Sequence, residues 1–232
     1  MSNTNIVRLQ EIADAMQDLN ERLVYVGGVV TGLYATDPTA TEPRPTDDVD
    51  CIVNTISYGE HVAFEELLRA KHFKNDQTPG APLCRWIYKS EKVDVMPMSE
   101  NALLFGNPWY MPGYSKRIPY TLPSGKTIYI LSVGYYIASK INALLLRGGN
   151  DWRGAKDFED IVYVLNYCTD VIDKFKTEDA DVQSFVSKQF AAMLIRRNLK
   201  EEIECAMPSV ETERIDTVLE IMNRLAHGQF KN

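Results

Sequence analysis

Cysteine and histidine are scarce in this chain, with four and three copies in 232 residues. Cys51, Cys84, Cys168 and Cys205 lie far apart, with no CxxC pair and no histidine at metal-ligand spacing. That excludes a zinc module and a disulfide scaffold, and the four read as buried thiols in a reducing cytoplasm. Positive charge is not in excess. A net charge of −7 argues against a protein that coats nucleic acid without sequence preference. Long apolar runs are missing too: an uncharged apolar-rich stretch such as Thr127 to Ser139 is too short to span a bilayer, so no membrane partner is expected. The segment from Ile6 to Leu19 carries Arg8, Glu11, Asp14 and Asp18, unlike the apolar core of a signal peptide, and a cytoplasmic location follows as the expectation. "PSGKTI" resembles the end of a phosphate-binding P-loop, but that motif requires glycine where Tyr120 stands.

What the chain does have is the composition of an ordinary globular protein, 45% hydrophobic and 25% charged, with length enough for one large domain or two small ones. Hydrophobic spacing predicts an amphipathic helix over 5–19 and a short apolar run at 22–28 ending in Gly27-Gly28. A short helix through Tyr34 and a Pro/Thr-rich loop over 35–46 follow. Residues 49–54 predict a strand, 61–71 a helix facing inward through Phe64, Leu67 and Leu68, and 83–90 with 92–98 a hairpin turning at Ser90–Glu91. The aromatic and proline-rich stretch 107–125 predicts an irregular surface excursion, and 126–132 one more strand. From Ser132 onward every pattern is helical: 132–147, about 154–167, and two or more helices across 178–204 and 208–227. The expected architecture is therefore α/β (α+β), a small mixed-sheet core over 1–131 and an all-helical domain over 132–232.

The stretch "RPTDDVDCIV" (44–53) crowds Asp47, Asp48 and Asp50 ahead of an apolar run. Strand alternation puts Val49, Cys51 and Val53 on the core face and leaves Asp48 and Asp50 together on the other, roughly 6–7 Å apart. Two acids at a strand mouth often do no more than solvate it. A third changes the balance, because "KVDVMPM" buries Val93 and Val95 and turns Asp94 outward. If the two strands are neighbours, three carboxylates meet, and they repel one another unless cations neutralise them. Hard oxygen donors of this kind suit Mg²⁺, and two ions about 3.5–4 Å apart are the arrangement of two-metal phosphoryl transfer. Gly27-Gly28, between strand and helix, can deliver backbone N–H groups to a phosphate or serve as a plain turn.

The set Gly27-Gly28, then Arg44-x-Thr46-x-Asp48-x-Asp50, then Asp94 on a later strand resembles the nucleotidyltransferase superfamily with the DNA polymerase beta-like fold. The segment 131–165 is similar to the branch that includes the type IV abortive-infection toxins (AbiEii). There a helical Lys, an Arg two turns later and a following Lys-Asp-x-x-Asp match Lys140, Arg147 and Lys156-Asp157-x-x-Asp160. The resemblance covers residues 23 to 165 and departs from the family in the long loop "ATDPTATEP" and in Gly28, where the family often has Ser.

The resemblance implies transfer of a nucleoside monophosphate from a triphosphate to an acceptor hydroxyl, with release of pyrophosphate. Asp48 and Asp50, with Asp94, would hold two Mg²⁺ ions, and Asp94 would also act as general base. Gly27, Gly28 and Thr31 would cradle phosphates, with Arg44, Thr46 and Arg147 beside the nucleotide and Lys140 and Asp157 taking part from the helical half. The toxin branch implies a tRNA or protein acceptor and a cognate antitoxin. A drug-type small-molecule acceptor and a non-catalytic nucleotide-binding pseudoenzyme are the alternatives. His61, His72 and His227 are isolated, and the groups Trp109, Tyr110, Tyr114 and Tyr120, Lys116, Arg117 and Lys126, and Arg196, Arg197 and Lys200 read by default as a loop staple and solvated faces.

Overall fold

The computed structural model describes residues 4–55, 57–98 and 106–229. The chain forms two compact units, Met1–Val30 with Arg44–Ser132, and Thr31–Pro43 with Val133–Asn232. Residues 31–43, assigned by sequence to the first domain, belong to the second. Tyr167 explains it: its carbonyl accepts from the amides of Thr36 and Asp37 at 2.9 and 3.0 Å, and its hydroxyl meets Thr41 at 2.9 Å. No helix among the described residues is long and apolar enough to cross a membrane.

The first unit is built on a seven-stranded mixed sheet in the order β3-β4-β5-β2-β1-β7-β6. Its strands are β1 (Leu23–Val26), β2 (Asp48–Asn54), β3 (Lys74–Asn75), β4 (Arg85–Tyr88), β5 (Glu91–Met98), β6 (Ile118–Thr121) and β7 (Thr127–Ile130). β2 runs antiparallel to β1 and parallel to β5, and β4 runs antiparallel to β5. Helix α1 (Thr4–Met16) buries Leu9, Ile12, Ala13 and Met16. It stops three residues short of the expected end, because Gln17 takes a left-handed φ of 53° and 3₁₀ turns follow. Helix α2 (Tyr58–Ala70) begins earlier than its apolar pattern suggests. Ser57 and Glu60 form a reciprocal capping box there, the Glu60 amide donating to Ser57 Oγ at 3.2 Å. Phe64 and Leu68 are buried, whereas Leu67, expected inward, is exposed. The excursion at 107–125 is more regular than its composition implies: it contains α3 (Tyr110–Ser115) and β6. Pro119 is tolerated because β6 is an edge strand.

The second unit is helical: α4 (Val133–Arg147), α5 (Lys156–Tyr167), α6 (Val171–Lys176), α7 (Ala180–Leu194), α8 (Leu199–Ala206) and α9 (Ile215–Ala226). α4 buries Val133, Ile137, Ile141 and Leu144, so its stripe ends on Leu144 and leaves Leu145 exposed. Across the chain Cys51, Cys84 and Cys168 are buried thiols, while Cys205 on α8 is exposed, contrary to expectation.

Candidate functional site

The acidic cluster is a product of sheet register. In the parallel β2–β5 pair, Asp50 stands opposite Asp94, and Asp48 follows two residues away on the same face. The other face carries Val49, Cys51 and Val53, all without exposed surface, so packing of the core side dictates where the acids point. One carboxylate oxygen from each of Asp48, Asp50 and Asp94 lies within 4.8 Å of the others. Oxygens so spaced, all hard donors, fit a cation that binds oxygen at about 2.0–2.6 Å. Asp94 is the most buried of the three, at 8% exposure.

Arg85 completes the cluster, although no local pattern marks it. It stands opposite Asp94 in the antiparallel β4–β5 pair. Its Nε donates to Asp94 Oδ1 at 2.7 Å, and its Nη2 donates to Asp94 Oδ2 at 2.7 Å and to Asp48 Oδ2 at 2.9 Å. The hydrogen bonds to Asp94 raise the Arg85 guanidinium further above its ordinary range. A turn at Ser90–Glu91 would have paired Arg85 with Met96. The chain instead turns at Lys89–Ser90, with Lys89 at a φ of 53°, so that Tyr88 pairs with Glu91 and Arg85 with Asp94. Behind the cluster, burial and then the charges of Asp50 and Asp94 push the Cys51 thiol well above its usual range, which keeps it a neutral core group.

The glycine pair meets this cluster directly. Gly27 has a φ of 73°, and a Cβ there would lie 2.0 Å from Asp50 Oδ2, so only glycine lets the carboxylate lie against the turn. A Cβ on Gly28 would lie 2.6 Å from Arg44 Nη2 and 2.7 Å from Thr46 Cγ2. Arg44 and Thr46 are thus brought to the second glycine. Asn5 on α1 holds their segment, donating from Nδ2 to the Arg44 carbonyl at 2.9 Å and accepting from the Thr46 amide at 3.0 Å. Arg8 donates to the Thr46 carbonyl from the same helix. Asn5 is 2% exposed, a polar residue buried to order a loop, and nothing in its sequence context marks it. The helix expected after the glycines is a 3₁₀ segment, Gly28–Tyr34. Thr31 within it has no exposed surface, and its hydroxyl pairs with that of Tyr136 at 2.6 Å.

In the second unit, Lys140 of α4 is 5% exposed and ion-paired with Asp160 at 2.6 Å and Asp157 at 3.4 Å, both on α5. Arg147 clasps Asp157 with two bonds, Nε to Oδ2 at 2.7 Å and Nη2 to Oδ1 at 2.9 Å, while its own side chain stays 70% exposed. Burial pushes the Asp157 carboxyl up, but the Arg147 hydrogen bonds and the Lys140 charge outweigh it and hold the group below its ordinary value. Elsewhere, Arg117 lies over the rings of Tyr114 and Tyr129 at 4.5 and 4.9 Å, and Arg196 lies 3.6 Å from the Trp152 ring while bonded to Glu202. Both arginines serve packing within their own units.

No protein-family model and no curated protein sequence matches the chain. Among solved structures, the fold matches an antigenic nucleotidyltransferase-like protein from Paracoccidioides brasiliensis, with a TM-score of 0.52 at 17% identity over 88% of this chain and 94% of that one. At that identity the likeness is one of fold: a mixed α/β architecture of the nucleotidyltransferase-like kind.

Proposed function

We propose that the chain is a Mg²⁺-dependent nucleotidyltransferase that moves a nucleoside monophosphate from a triphosphate to an acceptor hydroxyl. The observation that carries this is the convergence of Asp48, Asp50 and Asp94 within 4.8 Å on one face of the sheet, in a fold shared with a nucleotidyltransferase-like protein. Supporting it, Gly27 and Gly28 bring a positive-φ turn and the Arg44–Thr46 segment to the same face.

In this assignment the acceptor oxygen forms a bond to the α-phosphorus, the bond from that phosphorus to the α,β-bridging oxygen breaks, and pyrophosphate leaves. Asp48 and Asp50 hold the metal with the nucleotide. Bound Mg²⁺ supplies charge neutralisation for the phosphates. Asp94 accepts the acceptor proton, and the backbone at Gly27–Gly28 with Arg44 and Thr46 orients the phosphates. Positioning and charge stabilisation account for most of the acceleration in such transfers.

The acceptor we infer is a tRNA end or a protein hydroxyl, with a cognate antitoxin as partner. This rests on the similarity of 131–165, Lys140, Arg147 and Asp157 included, to the abortive-infection toxin branch. Incubation of the protein with each labelled nucleoside triphosphate, Mg²⁺, and total tRNA, cell protein or an aminoglycoside and lincosamide panel tests it. Label in tRNA or protein supports the toxin-like acceptor, and label in a drug replaces it. Metal-dependent triphosphate binding with no transfer to any acceptor would leave a nucleotide-binding pseudoenzyme.

A further inference from the structure

We propose that Arg85 stands in for one of the two divalent ions, so that the site takes a single ion, held by Asp48 and Asp50, while the Arg85 guanidinium supplies the positive charge at Asp94. This rests on the metal-dependent reading above and concerns how many ions the cluster accepts.

Three observations carry it. First, the contact is two-pronged. Nε and Nη2 of Arg85 each lie 2.7 Å from a different oxygen of Asp94, the fork geometry in which guanidinium–carboxylate recognition is strongest. An ion ligated by Asp94 would have to compete with that fork. Second, the same Nη2 reaches Asp48 Oδ2 at 2.9 Å, so one guanidinium bridges two carboxylates, as a shared metal ion would. The third carboxylate, Asp50, lies against Gly27. Third, Arg85 is held in place: its backbone is paired across the β4–β5 ladder, and its side chain is only 17% exposed. A guanidinium does not give up its proton in proteins, so this charge is permanent.

Mn²⁺, counted by the loss of its free electron-paramagnetic signal and by calorimetry on the full chain without nucleotide, is the probe. Wild type should bind one ion per chain. Arg85→Gln should bind a second, or bind the first ~10-fold or more tighter, because an uncompensated carboxylate becomes available. Arg85→Lys, which keeps the charge and loses the fork, should stay at one. In EDTA, Arg85→Gln should melt below wild type and regain more on Mn²⁺ addition than wild type does. Should Arg85→Gln fail to fold, the wild-type count and Arg85→Lys decide alone: one ion in each supports the proposal. Two ions on wild type overturn it, and so does an Arg85→Gln variant with one ion at unchanged affinity. Either result alongside intact metal-dependent transfer leaves the nucleotidyltransferase reading standing. No Mn²⁺ binding by wild type or variant overturns both.

Discussion

Gly27 and Asp50 approach so closely that a single methyl group on the glycine would sit 2.0 Å from the carboxylate oxygen Oδ2. Gly27→Ala must therefore displace Asp50 as well as strain a backbone at φ 73°. The strain alone costs about 1–2 kcal/mol. The expected outcome is a lower melting temperature together with Mn²⁺ affinity weakened by about tenfold or more, since a ligand has moved. Calorimetric titration checks it, and full Mn²⁺ affinity in a folded variant would remove Asp50 from the ligand set.

Asp50→Asn and Asp48→Asn should each abolish nucleotidyl transfer while the sheet stays folded. Their side chains occupy the face opposite Val49, Cys51 and Val53, so the core is not touched. Removing one of three neighbouring acids lowers their mutual repulsion, and in EDTA Asp50→Asn should melt at or above the wild-type temperature. Paired melting curves and transfer of labelled triphosphate test both. Transfer at the wild-type rate in either variant would sink the metal assignment.

Asp94→Asn should divide kinetics from binding. Asp94 lies beside Asp50 on the neighbouring strand and is gripped by Arg85. Its loss should lower kcat far more than it raises KM for the triphosphate, as expected for a group acting in the transition state. Steady-state kinetics with the triphosphate varied provides the comparison. An equal loss of nucleotide affinity in Asp94→Asn and Asp48→Asn would place Asp94 with the nucleotide rather than with the acceptor.

Lys140→Ala should destabilise the helical unit by about 3–5 kcal/mol, the usual cost of leaving a buried charge without its partner. The partner that loses the lysine is Asp160, 1% exposed and 2.6 Å from Lys140 Nζ. Denaturant unfolding measures it, and a loss under about 1 kcal/mol would mean that water replaces the lysine. A role in transfer is tested separately with Lys140→Ala, Asp157→Ala and the double variant, assayed where all remain folded. Losses of ~10²-fold that are less than additive would mark a shared contribution to transfer. Mild additive losses would leave the pair structural.

The same cluster sets an acid limit. Asp157 is held below its ordinary carboxyl value when folded, so it favours folding above about pH 3.8 and loses that contribution as pH falls through its lower folded value. Arg147→Ala removes its two hydrogen bonds and should move the acid limb of the melting-temperature profile to higher pH. An unchanged acid limb would assign that stability elsewhere.

Period-two alternation around 48–54 and 92–98 was enough to turn Asp48, Asp50 and Asp94 away from the core, because burial of Val49, Cys51, Val53, Val93 and Val95 admits one orientation of each strand. Helical periodicity likewise located α4 and α5, whose packing pairs Asp157 and Asp160 with Lys140. Local patterns did not decide register. Whether Asp94 meets Asp50 depends on β2 and β5 being parallel neighbours, a pairing between segments some forty residues apart. Whether Arg85 enters the cluster depends on the turn falling at Lys89–Ser90 rather than one residue later. The same holds for Asn5, which reaches Arg44 and Thr46 across about forty positions, and for residues 31–43, which pack with Tyr167. Side-chain periodicity is a property of one strand or helix and is written in its composition. Pairing partners are chosen by which long-range contacts satisfy the most buried apolar surface and backbone hydrogen bonds at once, and that choice belongs to the whole fold.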